Sequence, residues 1–223
     1  MPREQYQNSL DDLRADVLAM GELVTERLGE SLDAIERRDE SLARTVVEGD
    51  AAVNETYLRL EDRCVDLFAL QQPVAGDLRF VTASFKIITD LERIGDLAVN
   101  LANHSRAATR TVAPEVAVDA IGEAARELLE RSLSAYETAD PAACRAVAAD
   151  DDEVDALCQR ASESVTRDLI AGTDGDGWEV ERVLDDVSRV LLTIRDLERV
   201  ADHAVNIAAR TVYMIENDPE LLY

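Results

Sequence analysis

Lysine is almost missing from this chain: Lys86 stands alone among 23 basic residues, and arginine supplies the rest. Against them stand 47 aspartates and glutamates, which leaves a net charge of −24 over 223 residues. No local basic cluster interrupts that balance. Such a surface repels nucleic-acid phosphates and anionic lipid headgroups, so direct nucleic-acid binding is the first class to fall away. The acid-rich, lysine-poor balance resembles the proteome bias of extreme halophiles; at about 1 M salt the Debye length shrinks to about 3 Å and screens the self-repulsion of such a surface. Glycines number nine, prolines five, and aromatics make up 4%, which argues against turn-rich, aromatic-rich β architecture. The three cysteines, Cys64, Cys144 and Cys158, are odd in number and lack C-x-x-C spacing. Neither a disulfide framework nor a thiolate metal site is expected, and a reducing cytoplasm is. The N-terminal stretch MPREQYQNSLDDLR has no apolar h-region, and no run approaches the roughly 18 apolar residues that span a bilayer, so no membrane insertion is expected.

What is present is a good helix former at most positions and a sequence written twice. DLERIGDLAVNLA (Asp90 to Ala102) returns as DLERVADHAVNIA (Asp196 to Ala208), with nine of thirteen positions identical. A second echo pairs ERRDESLARTVVEGDAAVN (Glu36 to Asn54) with YETADPAACRAVAADDDEVD (Tyr136 to Asp155). There Asp39 and Asp50 keep the same separation as Asp140 and Asp151. The offset is 101 residues in this segment and 106 in the thirteen-residue phrase. The difference falls where LFALQQPVAGDLR faces LIAGTDGDGWEVER, which reads as a loop of unequal length.

Pro, Gly and Asp punctuation divides each half into three helices. The first half is predicted as about Arg3 to Arg37, Glu40 to Leu70 and Val74 to Thr109. RTVAPE links the halves, with Pro114 at a helix start. The second half follows as about Glu115 to Thr138, Pro141 to Ile170 and Trp178 to Glu216. In the third helix Phe80, Ala83, Ser84, Ile87, Leu91, Ile94, Ala98, Leu101 and Ala102 share one stripe at 100° per residue, which marks a core face. The expectation is an all-α molecule of six long helices, arranged as two tandem, pseudo-symmetric three-helix bundles spanning 1–112 and 113–223.

Away from that stripe, Glu92, Asp96 and Asn100 succeed one another at i,i+4, and Glu198, Asp202 and Asn206 repeat the pattern. Paired carboxylates at this spacing repel by a few tenths of a kcal/mol (about 0.2–0.5) and call for a compensating charge. Arg93 and Arg199 diverge from their neighbouring glutamates by 100° and are better placed to pair with another helix. A hard cation such as Mg²⁺, Mn²⁺, Ca²⁺ or iron is the other compensator. One such pair is ordinarily a solvated face. The second helix adds Asp50 and Asn54 in the first half and Asp151 and Asp155 in the second, so antiparallel packing would converge four oxygen-bearing side chains per bundle. A di-iron carboxylate enzyme needs Glu-x-x-His pairs, and Leu101 and Val200 precede His104 and His203 at that spacing. His203 stands where the first copy has Leu97 and reads as structural, at a boundary position, without a pH-switch role. No nucleophile with a base partner and no phosphate-cradling glycine loop is present, and GTDGDG lacks the ligand spacing of a calcium loop.

DAAVNE (Asp50 to Glu55), LQQPVAGDLRF (Leu70 to Phe80), KIITDLERIGDLAVNLA (Lys86 to Ala102) and LLTIRDLERVADHAVNIA (Leu191 to Ala208) together resemble the PhoU family of phosphate-transport regulators over nearly the whole chain. That resemblance implies a usually dimeric pair of three-helix bundles whose E-x-x-x-D motifs bind iron or zinc clusters, with Mg or Mn as other candidates. The implied ligands are Glu92, Asp96, Asp50 and Asn54 in one bundle and Glu198, Asp202, Asp151 and Asp155 in the other. Asn54 replaces a carboxylate, and the second half lacks the Q-Q-P-x-A-x-D-L-R stretch, so the two sites need not be equivalent. The implied function is not enzymatic: repression of phosphate uptake and starvation signalling through a phosphate ABC transporter at the cytoplasmic membrane face and, where present, a sensor histidine kinase. An accessory of a low-affinity phosphate permease and a metal-dependent enzyme are the alternatives.

Overall fold

A computed structural model describes residues 3–70, 75–107, 118–171 and 177–222. Gln71, Gln72, Pro73, the Pro114 link and most of the GTDGDG turn lie outside the described residues. The chain is helical almost throughout: α1 Arg3–Arg37, α2 Glu40–Glu48, α3 Asp50–Leu70, α4 Ala75–Ala107, α5 Val118–Thr138, α6 Pro141–Ala171 and α7 Gly177–Glu216, closed by a short 3₁₀ turn at Glu220–Leu222. No strand occurs among the described residues.

The second expected helix is interrupted, which corrects the reading of Glu40 to Leu70 as one element. α2 stops at Gly49, whose N–H donates to Thr45 O at 3.0 Å, and α3 starts at Asp50. A Cβ on residue 49 would fall 2.4 Å from the guanidinium carbon of Arg27, so a side chain there would make the flexible end of that arginine move aside. In the second copy Asp150 stands at this place, and α6 runs through it unbroken.

The corners explain part of the repeat. Asp39 accepts hydrogen bonds from the N–H groups of Ser41 and Leu42, and Asp140 accepts from Ala142 and Ala143. Each is an N-cap, which satisfies donors that the first helical turn would otherwise leave without partners. Arg38 and Ala139, one residue before each cap, both take the left-handed conformation (φ 53° and 51°) that lets the chain reverse within two residues. The Asp39/Asp140 echo is therefore a folding signal, and the Asp50/Asp151 echo is left for another purpose.

Antiparallel packing of α3 on α4 and of α6 on α7 completes each half. The halves do not stand apart, because α4 packs on α7 and α1 on α5, so one apolar core runs through both. Every residue of the expected α4 stripe is buried, Ser84 included, and so are Val81, Ile88 and Leu97 outside it. α4 is the central helix and faces α1, α3 and α7 together, which a single-stripe reading undercounts. Ser84 is accommodated by hydrogen bonds: it donates to Phe80 O (2.9 Å), and Tyr136 Oη of α5 lies 2.8 Å from its hydroxyl. Arg14 of α1 caps this buried stack, lying over the Phe80 and Tyr136 rings and donating to Tyr136 O at 2.7 Å.

The α1/α5 contact carries the pseudo-symmetry in its side chains. A Cβ added at Gly21 would meet Leu133 at 2.7 Å, and one added at Gly122 would meet Leu32 at 2.5 Å. Gly21 and Gly122, like Leu32 and Leu133, are 101 residues apart. Each half thus offers the other one leucine and one glycine notch to receive it.

Candidate functional site

The sequence expected the Glu and Asp of each repeated phrase to leave the core, and they do. Glu92 and Glu198 are half-buried, while Asp96 and Asp202 are exposed. Across the neighbouring helix, Asp50 and Asp151 are half-buried in the same way. Helix periodicity sets this: Leu91, Ile94 and Ala98 turn into the core, and the positions between them emerge at the α3/α4 crevice. Gly95 faces α3, and an added Cβ would sit 3.0 Å from Val53 of that helix. Its counterpart in the second half is Ala201.

Electrostatics shows which carboxylates sense one another. Burial raises the pKa of Glu92, and Asp96 and Asp50 raise it further, with Arg93 and His203 opposing. Asp96 is raised by burial and by Asp50. In the second half burial comes first again: Glu198 and Asp202 are raised, each also by Asp155. Asp151 is pushed from 3.8 up to about 6 by burial and then by Asp155, Asp202, Asp152 and Glu198. All four acids of the second set therefore act on one another, and the first set does the same through Asp50, Glu92 and Asp96.

Asn54 makes the sets unequal. Its Nδ2 donates to Asp50 Oδ2 at 2.8 Å, so the first face holds an internal donor for one carboxylate. The second face holds none for Asp151, whose Oδ1 is sealed from solvent without a hydrogen-bond partner. Among the described residues no three His, Cys, Asp or Glu side chains stand close enough to share one metal ion as they are oriented. An ion at the second face would draw the exposed Asp155 and Asp202 side chains inward. The donor set suits that: all oxygen, mutually repelling, with one buried oxygen unsatisfied.

Two pairings escaped the sequence reading. His203 Nδ1 of α7 donates to Asp90 Oδ1 of α4 at 2.9 Å, and His104 Nε2 of α4 donates to Asp196 Oδ2 of α7 at 3.2 Å. Asp90 and Asp196 open the two copies of the repeated phrase, and both are buried at the seam between halves. Burial alone would raise Asp196, but the hydrogen bond and charge of His104, with Arg195, hold it below the usual carboxylate range. His203 is 8% exposed, a seam residue and not the boundary one expected. Arg199 lies 3.9 Å from Asp196, three residues back on its own helix, and so does not reach across to another as expected. The duplicated first Asp of each phrase was the available signal, and its partners lay in the other half.

A family model described as the PhoU domain matches this chain twice, at residues 17–104 and 118–211. The chain belongs to the PhoU family. It is 32% identical, over 95% of its length and 86% of the relative's, to a phosphate-specific transport system accessory protein PhoU homolog of Pseudomonas aeruginosa. Among solved structures it is similar to PhoU from Pseudomonas aeruginosa (29% identity, TM-score 0.82, covering 96% of this chain and 100% of that one). It is also similar to the phosphate transport system regulatory protein PhoU from Streptococcus pneumoniae (26% identity, TM-score 0.84, covering 96% and 98%). The two matched domains meet at the α4/α7 and α1/α5 seams described above, and no helix of the described residues is long and apolar enough to cross a membrane.

Proposed function

We propose that this protein is a metal-binding negative regulator of phosphate uptake and phosphate-starvation signalling. The observation that carries the reading is a carboxylate face built twice at equivalent helix positions, in a chain of the PhoU family whose relatives are named as phosphate-transport accessories. Its partners are a phosphate ABC transporter at the cytoplasmic membrane face and, where present, a sensor histidine kinase; the protein works there as a cytoplasmic homodimer. The role is regulatory and not catalytic, in keeping with the accessory-protein names of its relatives.

Iron or zinc is the cation this reading favours, with Mg²⁺ or Mn²⁺ as the hard-ion options for an all-oxygen set. Asp151, Asp155, Glu198 and Asp202 would hold it in the second half, and Asp50, Glu92 and Asp96, with Asn54 Oδ1, in the first. Bound there, a cation neutralises carboxylates that now repel and braces α3 on α4 and α6 on α7. The test is metal analysis of protein purified without chelator, beside Glu92→Ala/Asp96→Ala and Glu198→Ala/Asp202→Ala variants, together with phosphate uptake in cells carrying each. Each variant should lose metal and release uptake from repression; metal content unchanged in both sinks the assignment.

A further inference from the structure

The two carboxylate faces occupy equivalent helix positions and differ at one of the positions that would meet a cation. Asp155 acts on both Glu198 and Asp202 in the second half, and its counterpart 101 residues earlier is Asn54. The second face therefore offers four carboxylates, Asp151, Asp155, Glu198 and Asp202, and the first offers three, Asp50, Glu92 and Asp96. The flanks widen that gap. Ala51 and Ala52 of the first copy become Asp152 and Glu153 in the second, all four of them exposed beside the face.

Hydrogen bonding acts in the same direction. Asn54 Nδ2 donates to Asp50 Oδ2 at 2.8 Å across one helical turn, so one Asp50 oxygen is already engaged along its own helix. A hydrogen bond to an ionised acceptor is among the stronger ones, and a cation has to compete with it. Ionised Asp155 is an acceptor only and can do nothing similar for Asp151. Asp151 Oδ1 stays sealed from solvent without a partner, and a buried acceptor left unsatisfied is costly until a donor or a cation reaches it. Oxygen sites for hard cations owe their affinity largely to how many charged ligands they hold. On both counts the second face is the stronger one.

We propose that the two faces load unequally: the second half takes its cation first and keeps it, while the first half exchanges its cation with the surrounding pool. The inference rests on the metal-binding reading above and gives the halves different duties. When the cation is scarce, α6 stays braced on α7 and α3 loses its brace on α4. The packing of the first half is then what responds to cation supply.

The test strips the full chain with chelator, dialyses it and titrates it with Mn²⁺ in KCl, which screens loosely held surface ions. Free Mn²⁺ is followed by its electron paramagnetic resonance signal. Wild type should show two classes of site at least about tenfold apart in Kd. Glu198→Ala/Asp202→Ala should lose the tight class, and Glu92→Ala/Asp96→Ala the weak one. Asn54→Asp should tighten the weak class by at least about tenfold, and Asp155→Asn, at an exposed position, should loosen the tight class as much. Far-UV circular dichroism checks that each variant folds; should Asn54→Asp fail to, Asp155→Asn, which adds no charge, decides alone. Equal affinities in wild type, tighter binding at the first face, or exchanges that leave both classes unchanged overturn the inference and leave the metal-binding reading in place. Binding that neither double variant reduces overturns that reading, and this inference with it.

Discussion

Replacing Asp151 by Asn should make the metal-free protein more stable while weakening the second carboxylate face. Asp151 is half-buried, its Oδ1 has no partner, and four neighbouring acids oppose its ionisation, so its pKa rises from 3.8 to about 6. A folded-state pKa above the unfolded value means that the native state binds the proton more tightly. The favourable contribution is complete below about pH 4 and is lost as pH climbs through about 6. At pH 7.5 the folded protein therefore holds a carboxylate it would rather protonate. The rise corresponds to at most about 3 kcal/mol at 1.36 kcal/mol per pH decade. Solvent reaches part of this group and the acids share their titration, which brings the expected gain on removing the charge to about 1–1.5 kcal/mol. For a chain of this size that raises Tm by about 2–6 °C. The assay is thermal unfolding in chelator from pH 4.5 to 8, wild type beside Asp151→Asn. The variant should gain at pH 7.5 and show little difference at pH 4.5, and its Mn²⁺ affinity should fall. Equal or lower Tm at pH 7.5 refutes the view that the face is a set of uncompensated charges.

The remaining expectations concern the seam and the surface. His203→Leu, which copies the first repeat, leaves Asp90 buried without its donor and should cost about 3 kcal/mol in urea unfolding, while Asp90→Leu/His203→Leu should recover most of that loss. A double variant as unstable as the single one would show that the pair is not what matters. Gly122→Ala places a Cβ against the half-buried Leu32 side chain and should cost about 1–3 kcal/mol by the same assay, with Gly21→Ala behaving alike through the buried Leu133. Gly29→Ala, which has open space, is the control and should be neutral or stabilising. Raising KCl from about 0.1 M to about 2 M should increase Tm, because screening relieves repulsion among 47 acidic residues; a flat response argues against adaptation to high salt.

Much of the architecture was legible because helices announce themselves locally. The bounds of α1 were read correctly from punctuation, and the apolar period of α4 named a buried face before any packing was known. The break at Gly49 escaped because a single glycine inside a helical pattern carries no local mark of whether the helix stops there, and the guanidinium packed against it comes from Arg27, twenty-two residues earlier. Of the candidate acids, spacing along one helix placed Glu92 beside Asp96 and Glu198 beside Asp202. That Asp50 and Asp151 join them depended on helix pairing, which the repeat suggested and the crevices between α3 and α4 and between α6 and α7 realise.

By itself the sequence determined an acidic, helical, duplicated chain and the side chains that line its outer faces. Short-range periodicity and an internal repeat are properties of the string, and they survive without coordinates. Only the tertiary structure decided that the two halves share one core, that Asp90 and Asp196 each take a histidine from the opposite half, and that Leu58 and Val65 face solvent. Those facts depend on which helix lies against which, and residues about a hundred positions apart in the chain carry no local mark of being neighbours.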